Sequence, residues 1–522
     1  MNVGRLSLDN LEQFGTYTHL HYGGRGYTNE ESLAHAAAMA EVFASRGIGR
    51  DDQVMVMMPN SPAVLAAFQA AWKLGAVIIP VTPQLGAPEV RYMLEDSDVK
   101  AVLTAPVLAP TIAAARDGLD DAPELLVVGA SEVAGATDVE PEIAERSGRA
   151  PIDRLAERSD DDLALLLYTS GTTGHPKGVM LTHGNMYSNA LSCRKMDPTV
   201  EPGEVGLAVL PLSHSFGVLM MNLSLLFGGV DALLPRFEIT EVFEYLQKYR
   251  VQNFAVVPTM LTYMLNFPQR DAYDLSALRN VNSGGSALPN EVRVEFEKVF
   301  DCEVKDGYGM SECAPAATGY GPDDAYRPGS VGRAIPDVEV TIRDDANEEL
   351  ARGEWGEICM RGPNVMKGYW NKPDATAEAL AGGWLHSGDI GYMDADGFVY
   401  ITDRKKDLII KGGENISPRE VEEALYQHPA VAEAAVVSVP DDRFGEDIWA
   451  AVVVRHDHEA SEEELRAHAA QFVTEAPPVV RKSLPLGRSP PVRIESSTTR
   501  LELAPAATRP AVYFPSPPRA GT

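Results

Sequence analysis

From Ser32 to Val81 the apolar positions follow two spacings in turn. The stretch "SLAHAAAMAEVFASRG" places apolar residues every three or four positions, the period of a helix buried along one side. By contrast, "QVMVMM" and "AVIIPV" are short, continuous apolar runs bounded by Gly, Asp or Pro, as expected of strands covered on both faces. Runs of the same kind recur in "KAVLTAP", "ELLVVGA", "LALLLYTS" and "VQNFAVVPT". Helix, glycine turn and strand in alternation predict α/β layers on a mostly parallel sheet, with no repeat at a fixed period.

The texture changes after about residue 330. There "VEVTIRD", "GEICMRG" and "GFVYITD" are strands separated by Gly and Asp turns, which predict a smaller antiparallel or barrel-like subdomain. After "ITDRKKD" a third pattern begins, and a helix is expected from Ser417 to about Gln427. Ser417 at the N-cap, Pro418 at N1 and Glu420 at N3 form a capping box. The last expected helix is "SEEELRAHAAQFV". The expected domains are therefore 1–403, 404–475 and a tail, 476–522. Roughly a fifth of that tail is proline and no apolar period survives in it, a composition that predicts disorder.

At 522 residues the chain is long enough for two or more domains. A net charge of −30 argues against nucleic-acid and anionic-membrane partners. Cys193, Cys302, Cys313 and Cys359 are widely spaced, which indicates neither a disulfide framework nor a zinc motif and fits a reducing, cytoplasmic setting. The first residues lack an apolar signal core, and no integral membrane segment is expected.

The candidate chemistry begins with "YTSGTTGHPKGVMLTHGN", residues 168–185, directly after the strand "LALLL". Its glycines let backbone amides close around phosphate oxygens, while hydroxyls and Lys177 supply further donors. The Walker A spacing is absent. Further motifs follow in order: "PLSHSFG" at 211–217, "NSGGSALP" at 282–289, "DGYGMSECAP" at 306–315, "GWLHSGDIG" at 383–391 and "DRKKDLIIKGGENISPREVE" at 403–422.

Together these motifs resemble the adenylate-forming superfamily of acyl-CoA synthetases, nonribosomal adenylation domains and firefly luciferase. The likeness covers residues 1 to about 473 and is nearest in look to fatty acid–CoA ligases. It implies a large N-terminal domain of layered α/β subdomains with a β-barrel-like subdomain, and a small mobile α+β C-terminal domain. It also implies two displacements: a carboxylate attacks the α-phosphate of ATP, and a thiol then displaces AMP. Such chemistry needs Mg²⁺, lysine and preorganised donors around the phosphates more than it needs covalent help from the protein.

By the same resemblance, Thr169, Ser170, Gly171, Thr172, Thr173, Gly174 and Lys177 form the phosphate loop. Ser311 and Glu312 are expected to hold the α-phosphate and the metal. Serine at 311 stands where threonine is more usual, and keeps the hydroxyl. Tyr308 is expected against adenine, with Ser283, Gly284 and Gly285 near the same ring and Asp306, Gly307 and Gly309 in the adjoining motif. Asp389 and Arg404 are expected at the ribose, and His214 at a gate between acyl pocket and thiol channel. Lys406 is expected to act as the hinge of the small domain, with Gly412 and Gly413 near the pantetheine. Lys177, His214 and Glu312 are the residues expected to take part in the chemistry itself.

No carrier-protein domain is apparent, so free coenzyme A is the expected acceptor, with a monomer or homodimer as the working form. Small residues around 283–286 suggest a medium- or long-chain fatty acid, and an aromatic acid is the alternative. The family ends in a loop close to P-K-T-x-x-G-K, whose final lysine enters the site. Lys482, the only lysine of the tail, lacks that setting. This predicts impaired adenylation, in the extreme a binding protein with little ligase activity. A one-base frame change near Thr474 would account for the break.

Overall fold

In the computed structural model, residues 1–169, 176–404, 409–411, 414–441, 445–455, 458–472 and 479–485 are described. The chain divides into two compact units, the second beginning at Asp407.

In the large unit, the expected strands and helices assemble around two sheets. The eight-stranded one runs Gly368–Tyr369, Lys177–Thr182, Leu163–Thr169, Val77–Pro80, Gln53–Met57, Val99–Thr104, Glu124–Val127, Ala136–Asp138. Its continuous apolar runs follow from the period of a strand. On Gln53–Met57, Val54 and Val56 enter one apolar cluster with helices Asn29–Ala44 and Pro62–Leu74. Met55 and Met57 point the other way, into a second cluster with helices Ala87–Asp96 and Ala109–Arg116. Every position of the strand is buried, so no polar alternation can appear.

The second sheet has seven strands in the order Glu303–Asp306, Asn280–Ser283, Asn253–Val256, Val205–Ala208, Val230–Leu233, Thr18–Tyr22, Arg25–Thr28. The pairings are parallel except for the final hairpin. Hence the segments leaving Val205–Ala208, Asn280–Ser283 and Glu303–Asp306 emerge at one edge, where open α/β sheets present their ligand sites. The expected antiparallel subdomain is present as a four-stranded sheet, Glu339–Arg343, Gly356–Arg361, Leu385–Met393 and Val399–Arg404.

In the second unit, Ser417 caps helix Pro418–Tyr426 by accepting from the Glu420 amide at 3.4 Å. Ser461 caps helix Glu462–Ala469 in the same way, at 3.1 Å. Strands Val431–Asp441 and Gly445–Val454 pair antiparallel along their length. One expectation is corrected here. Val479–Pro485, assigned to a disordered tail, is a strand that runs parallel to Gly445–Val454, with Lys482 opposite Ala451. The β-branched valines and the ladder outweigh a proline-rich composition that lies mostly outside these seven residues.

Ser417→Ala removes one cap acceptor, and substitutions of this kind cost about 1 kcal/mol. Faster amide hydrogen exchange confined to residues 418–426, with the large unit unchanged, is the expected outcome.

Candidate nucleotide and acyl-transfer site

The hairpin that carries the Gly/Thr-rich loop is closed by its own register. Strands Leu163–Thr169 and Lys177–Thr182 pair antiparallel with Thr169 opposite Lys177. Ser170, Gly171, Thr172, Thr173 and Gly174 lie outside the described residues, as do Lys406, Gly412 and Gly413. The end of the sequence motif has a structural task. Thr182 caps helix His183–Met196, exchanging hydrogen bonds with Asn185 at 3.1 and 2.9 Å. Asn185 Nδ2 then donates to the carbonyls of Pro363 and Val365, both at 2.8 Å. That tether leads into Gly368–Tyr369, which pairs with the lysine-bearing strand, Tyr369 opposite Val179.

Tyr369 did not emerge from the sequence, yet it links two predicted residues. The Lys177 ammonium lies 5.0 Å from the centre of its ring, and its hydroxyl donates to Glu312 Oε1 at 2.9 Å. Glu312 is buried, and burial raises its pKa. The Tyr369 hydroxyl and the charges of Lys177 and Arg404 act in the opposite direction. Burial, then the carboxylate, pushes the Tyr369 phenol above its ordinary range. In "MKGYW" the tyrosine reads as an ordinary strand aromatic. Only the pairing of two strands far apart in sequence brings it to Lys177.

A second carboxylate is held in a parallel way. Strands Leu385–Met393 and Val399–Arg404 set Asp389 opposite Arg404, whose Nε lies 3.3 Å from Asp389 Oδ1. The Tyr308 hydroxyl donates to Asp389 Oδ2 at 2.6 Å, and burial followed by that carboxylate raises the phenol's pKa. Tyr308 and Asp389, expected at different parts of a nucleotide, are therefore partners of each other in this structure. Arg404 bears on both carboxylates, by contact with Asp389 and by its field at Glu312.

The remaining residues stand at the sheet edge. Ser283 and Asp306 are opposite each other at the ends of neighbouring parallel strands, and the Gly307 amide donates to Ser283 O at 3.0 Å and Asp306 Oδ1 at 3.1 Å. Ser283 Oγ is buried with no hydrogen-bond partner among the described residues. A Cβ on Gly284 would come within 3.2 Å of the Phe216 ring, and Gly285 has φ 83°, in the left-handed region. At Gly309 a Cβ would collide with the Pro315 carbonyl, so the turn before Ser311 closes only on glycine. His214 is exposed and precedes helix Ser215–Phe227, and partial desolvation lowers its pKa. Ser215 Oγ and Ser311 Oγ are 3.3 Å apart.

Two cations and two buried carboxylates supply the charges and acceptors that a polyanion bearing a diol requires. They can also hold a divalent cation at Glu312, where burial already disfavours an uncompensated charge.

Comparison with known proteins bears on this reading. The profile of the AMP-binding enzyme family matches residues 8–370. That of the AMP-binding enzyme C-terminal domain matches residues 420–489, beyond residue 473, where the likeness was expected to end. The long-chain-fatty-acid–CoA ligase of Bacillus subtilis is 36% identical over 88% of this chain and 87% of its own. A feruloyl-CoA synthase of Amycolatopsis is 38% identical over 84% and 86%. Among solved structures, o-succinylbenzoate–CoA synthetase of Bacillus subtilis with an acyl-adenylate superposes with a TM-score of 0.78 at 29% identity, covering 93% and 95%.

The folded-state pKa of Glu312 is raised, so folding favours its protonated form and loses stability as pH climbs above the unfolded carboxyl value of about 4.3. Glu312→Gln is therefore expected to raise the melting temperature at pH 7 relative to the parent, with the gain vanishing near pH 4 in calorimetry. Tyr369→Phe is expected to destabilise by about 2 kcal/mol at pH 7, since it strips a hydrogen bond from a charged acceptor.

Proposed function

Because the chain belongs to the AMP-binding enzyme family, we propose that it is an ATP-dependent acid–CoA ligase whose acid is a medium- or long-chain fatty acid. The observation that carries the reading is the pair of buried carboxylates, each with its own tyrosine and cation: Glu312 with Tyr369 and Lys177, Asp389 with Tyr308 and Arg404.

An oxygen of the acid forms a bond to the α-phosphorus of ATP while the bond to pyrophosphate breaks. The coenzyme A sulfur then bonds to the acyl carbon, the acyl–oxygen bond breaks, AMP leaves with the electron pair, and the thiol proton passes to solvent. Lys177, with the loop from Thr169 to Gly174, meets the terminal phosphates, and Ser311 donates to the α-phosphate. Glu312 would hold Mg²⁺, whose charge offsets that of the phosphates. Asp389 releases the Tyr308 hydroxyl in exchange for the ribose diol, and Arg404 stays with the same sugar. The freed Tyr308 ring covers adenine against the backbone of Ser283, Gly284 and Gly285, with Asp306, Gly307 and Gly309 shaping the turn. His214, whose pKa is lowered by partial desolvation, gates the acyl pocket. Lys406 acts as hinge, with Gly412 and Gly413 against pantetheine.

The fatty acid is favoured by apolar neighbours where the acyl group would enter: Phe216 beside Gly284 and Val257 beside Gly285. The long-chain relative supports it too, while the feruloyl relative supports an aromatic acid. Four cysteines without a disulfide suit the cytoplasm. Among the described residues no helix is long and apolar enough to cross a membrane.

A panel of fatty, benzoic and cinnamic acids, followed by pyrophosphate release, is expected to show turnover highest with chains of about eight carbons or more. Exclusive turnover of aromatic acids would replace the fatty reading.

A second reading concerns the first half-reaction. Lys482 stands within a paired strand, opposite Ala451, and not in a loop after glycine. A missing charged donor of this kind costs on the order of 10²–10³ in rate. Thioester formation from synthetic acyl-AMP and coenzyme A is then expected to exceed that from acid, Mg-ATP and coenzyme A by about 100-fold or more. Equal rates would show adenylation to be unimpaired.

A further inference from the structure

Glu357, Cys359 and His386 take no part in the chemistry above, yet one face of the four-stranded sheet brings them together. Glu357 and Cys359 are two apart on Gly356–Arg361, so their side chains leave the same face. His386, on the neighbouring antiparallel strand, is directly opposite Cys359. The register shifts between Glu357 and Cys359, where the facing chain turns through Gly388 at φ 74°.

The donor atoms converge. His386 Nδ1 is 3.4 Å from Cys359 Sγ and 3.1 Å from Glu357 Oε2, and all three ligand atoms lie within 4.8 Å of one another. His386 Nε2 is 3.3 Å from the Ala381 carbonyl, which can only accept, so Nε2 carries the proton. With a single proton, on Nε2, the ring presents its Nδ1 lone pair to Glu357 Oε2, and a carboxylate oxygen only accepts. Two such atoms at 3.1 Å repel unless a positive centre lies between them. A tetrahedral zinc site has sulfur–nitrogen and nitrogen–oxygen separations of about 3.6 and 3.4 Å, from bonds of about 2.3 Å to sulfur and 2.0–2.2 Å to nitrogen and oxygen. These two separations need change by only a few tenths of an ångström, and the sulfur–oxygen separation, within 4.8 Å, closes by rotation of the Glu357 carboxylate. Cys359 is fully buried, while the side chains of Glu357 and His386 are 15% and 17% exposed, which leaves one side open for an ion and a water ligand.

We propose that Cys359 Sγ, His386 Nδ1 and Glu357 Oε2 form a site for a borderline-soft divalent cation of the zinc class, its fourth position open to water. Binding releases the Cys359 thiol proton, so affinity rises with pH. The site adjoins the nucleotide machinery. The other Glu357 oxygen accepts from the Gly388 amide at 2.9 Å, and Ser387 Oγ donates to Ile358 O at 2.6 Å and accepts from the Asp389 amide at 3.0 Å. An ion gripping Glu357 and His386 braces the turn that presents Asp389, and nucleotide and metal affinities are then coupled in both directions by the same factor.

The full chain, stripped with a chelator, is titrated with Co²⁺ and followed optically, with Zn²⁺ as competitor. The expected result is one equivalent of Co²⁺ with a thiolate charge-transfer band, displaced by Zn²⁺. That band disappears in Cys359→Ser, persists in Cys302→Ala, and needs at least about tenfold more Co²⁺ in His386→Gln. No stoichiometric binding, or a band that survives Cys359→Ser, would overturn the proposal and leave a proton-bridged His386–Glu357 pair. Should Cys359→Ser fail to fold, cobalt-edge X-ray absorption of the parent decides: one sulfur neighbour supports the site, and none overturns it.

Discussion

Ionised carboxylates can be kept out of water only where hydroxyls and cations of the same unit replace the lost hydration, and the large unit is arranged to supply those partners to Glu312 and Asp389. Glu312 draws on Tyr369 and Lys177 through the pairing of Gly368–Tyr369 with Lys177–Thr182. Asp389 draws on Arg404 through the pairing of Leu385–Met393 with Val399–Arg404, and on Tyr308 from the turn after the seven-stranded sheet. Since Arg404 bears on both carboxylates, the two sites share one electrostatic system. The desolvation of Glu312 is offset only in part, as its raised pKa records.

Close backbone approach is the second requirement. The helix carrying Phe216 starts hard against the preceding turn, where a Cβ on Gly217 would strike the Pro211 carbonyl, and the turn into Ser311 crosses Pro315 at Gly309. These contacts bring the ends of three parallel strands, a helix start and the Glu312 turn into one region without intervening side chains.

Much of this was legible in the sequence because it is local. Both-face burial writes itself as continuous apolar runs, caps as serine followed by glutamate, and phosphate-binding turns as glycine with hydroxyls. Lys177, Ser283, Asp306, Ser311, Glu312, Asp389 and Arg404 stand at strand ends and turns. Tyr369 was not legible, since its hydroxyl matters only through an antiparallel partner far upstream. Composition misled at Val479–Pro485, where prolines outside the segment obscured a β-forming run that completes a sheet.

The α/β class and the helix caps could be read from the chain alone, because each depends on spacing within a few tens of residues. Only the tertiary structure decided which groups are partners: that Tyr308 holds Asp389, that Tyr369 joins Lys177 to Glu312, and that Glu357 and Cys359 face His386. Strand order and register set those meetings, and no local pattern encodes the register between two strands that a turn or a longer excursion separates.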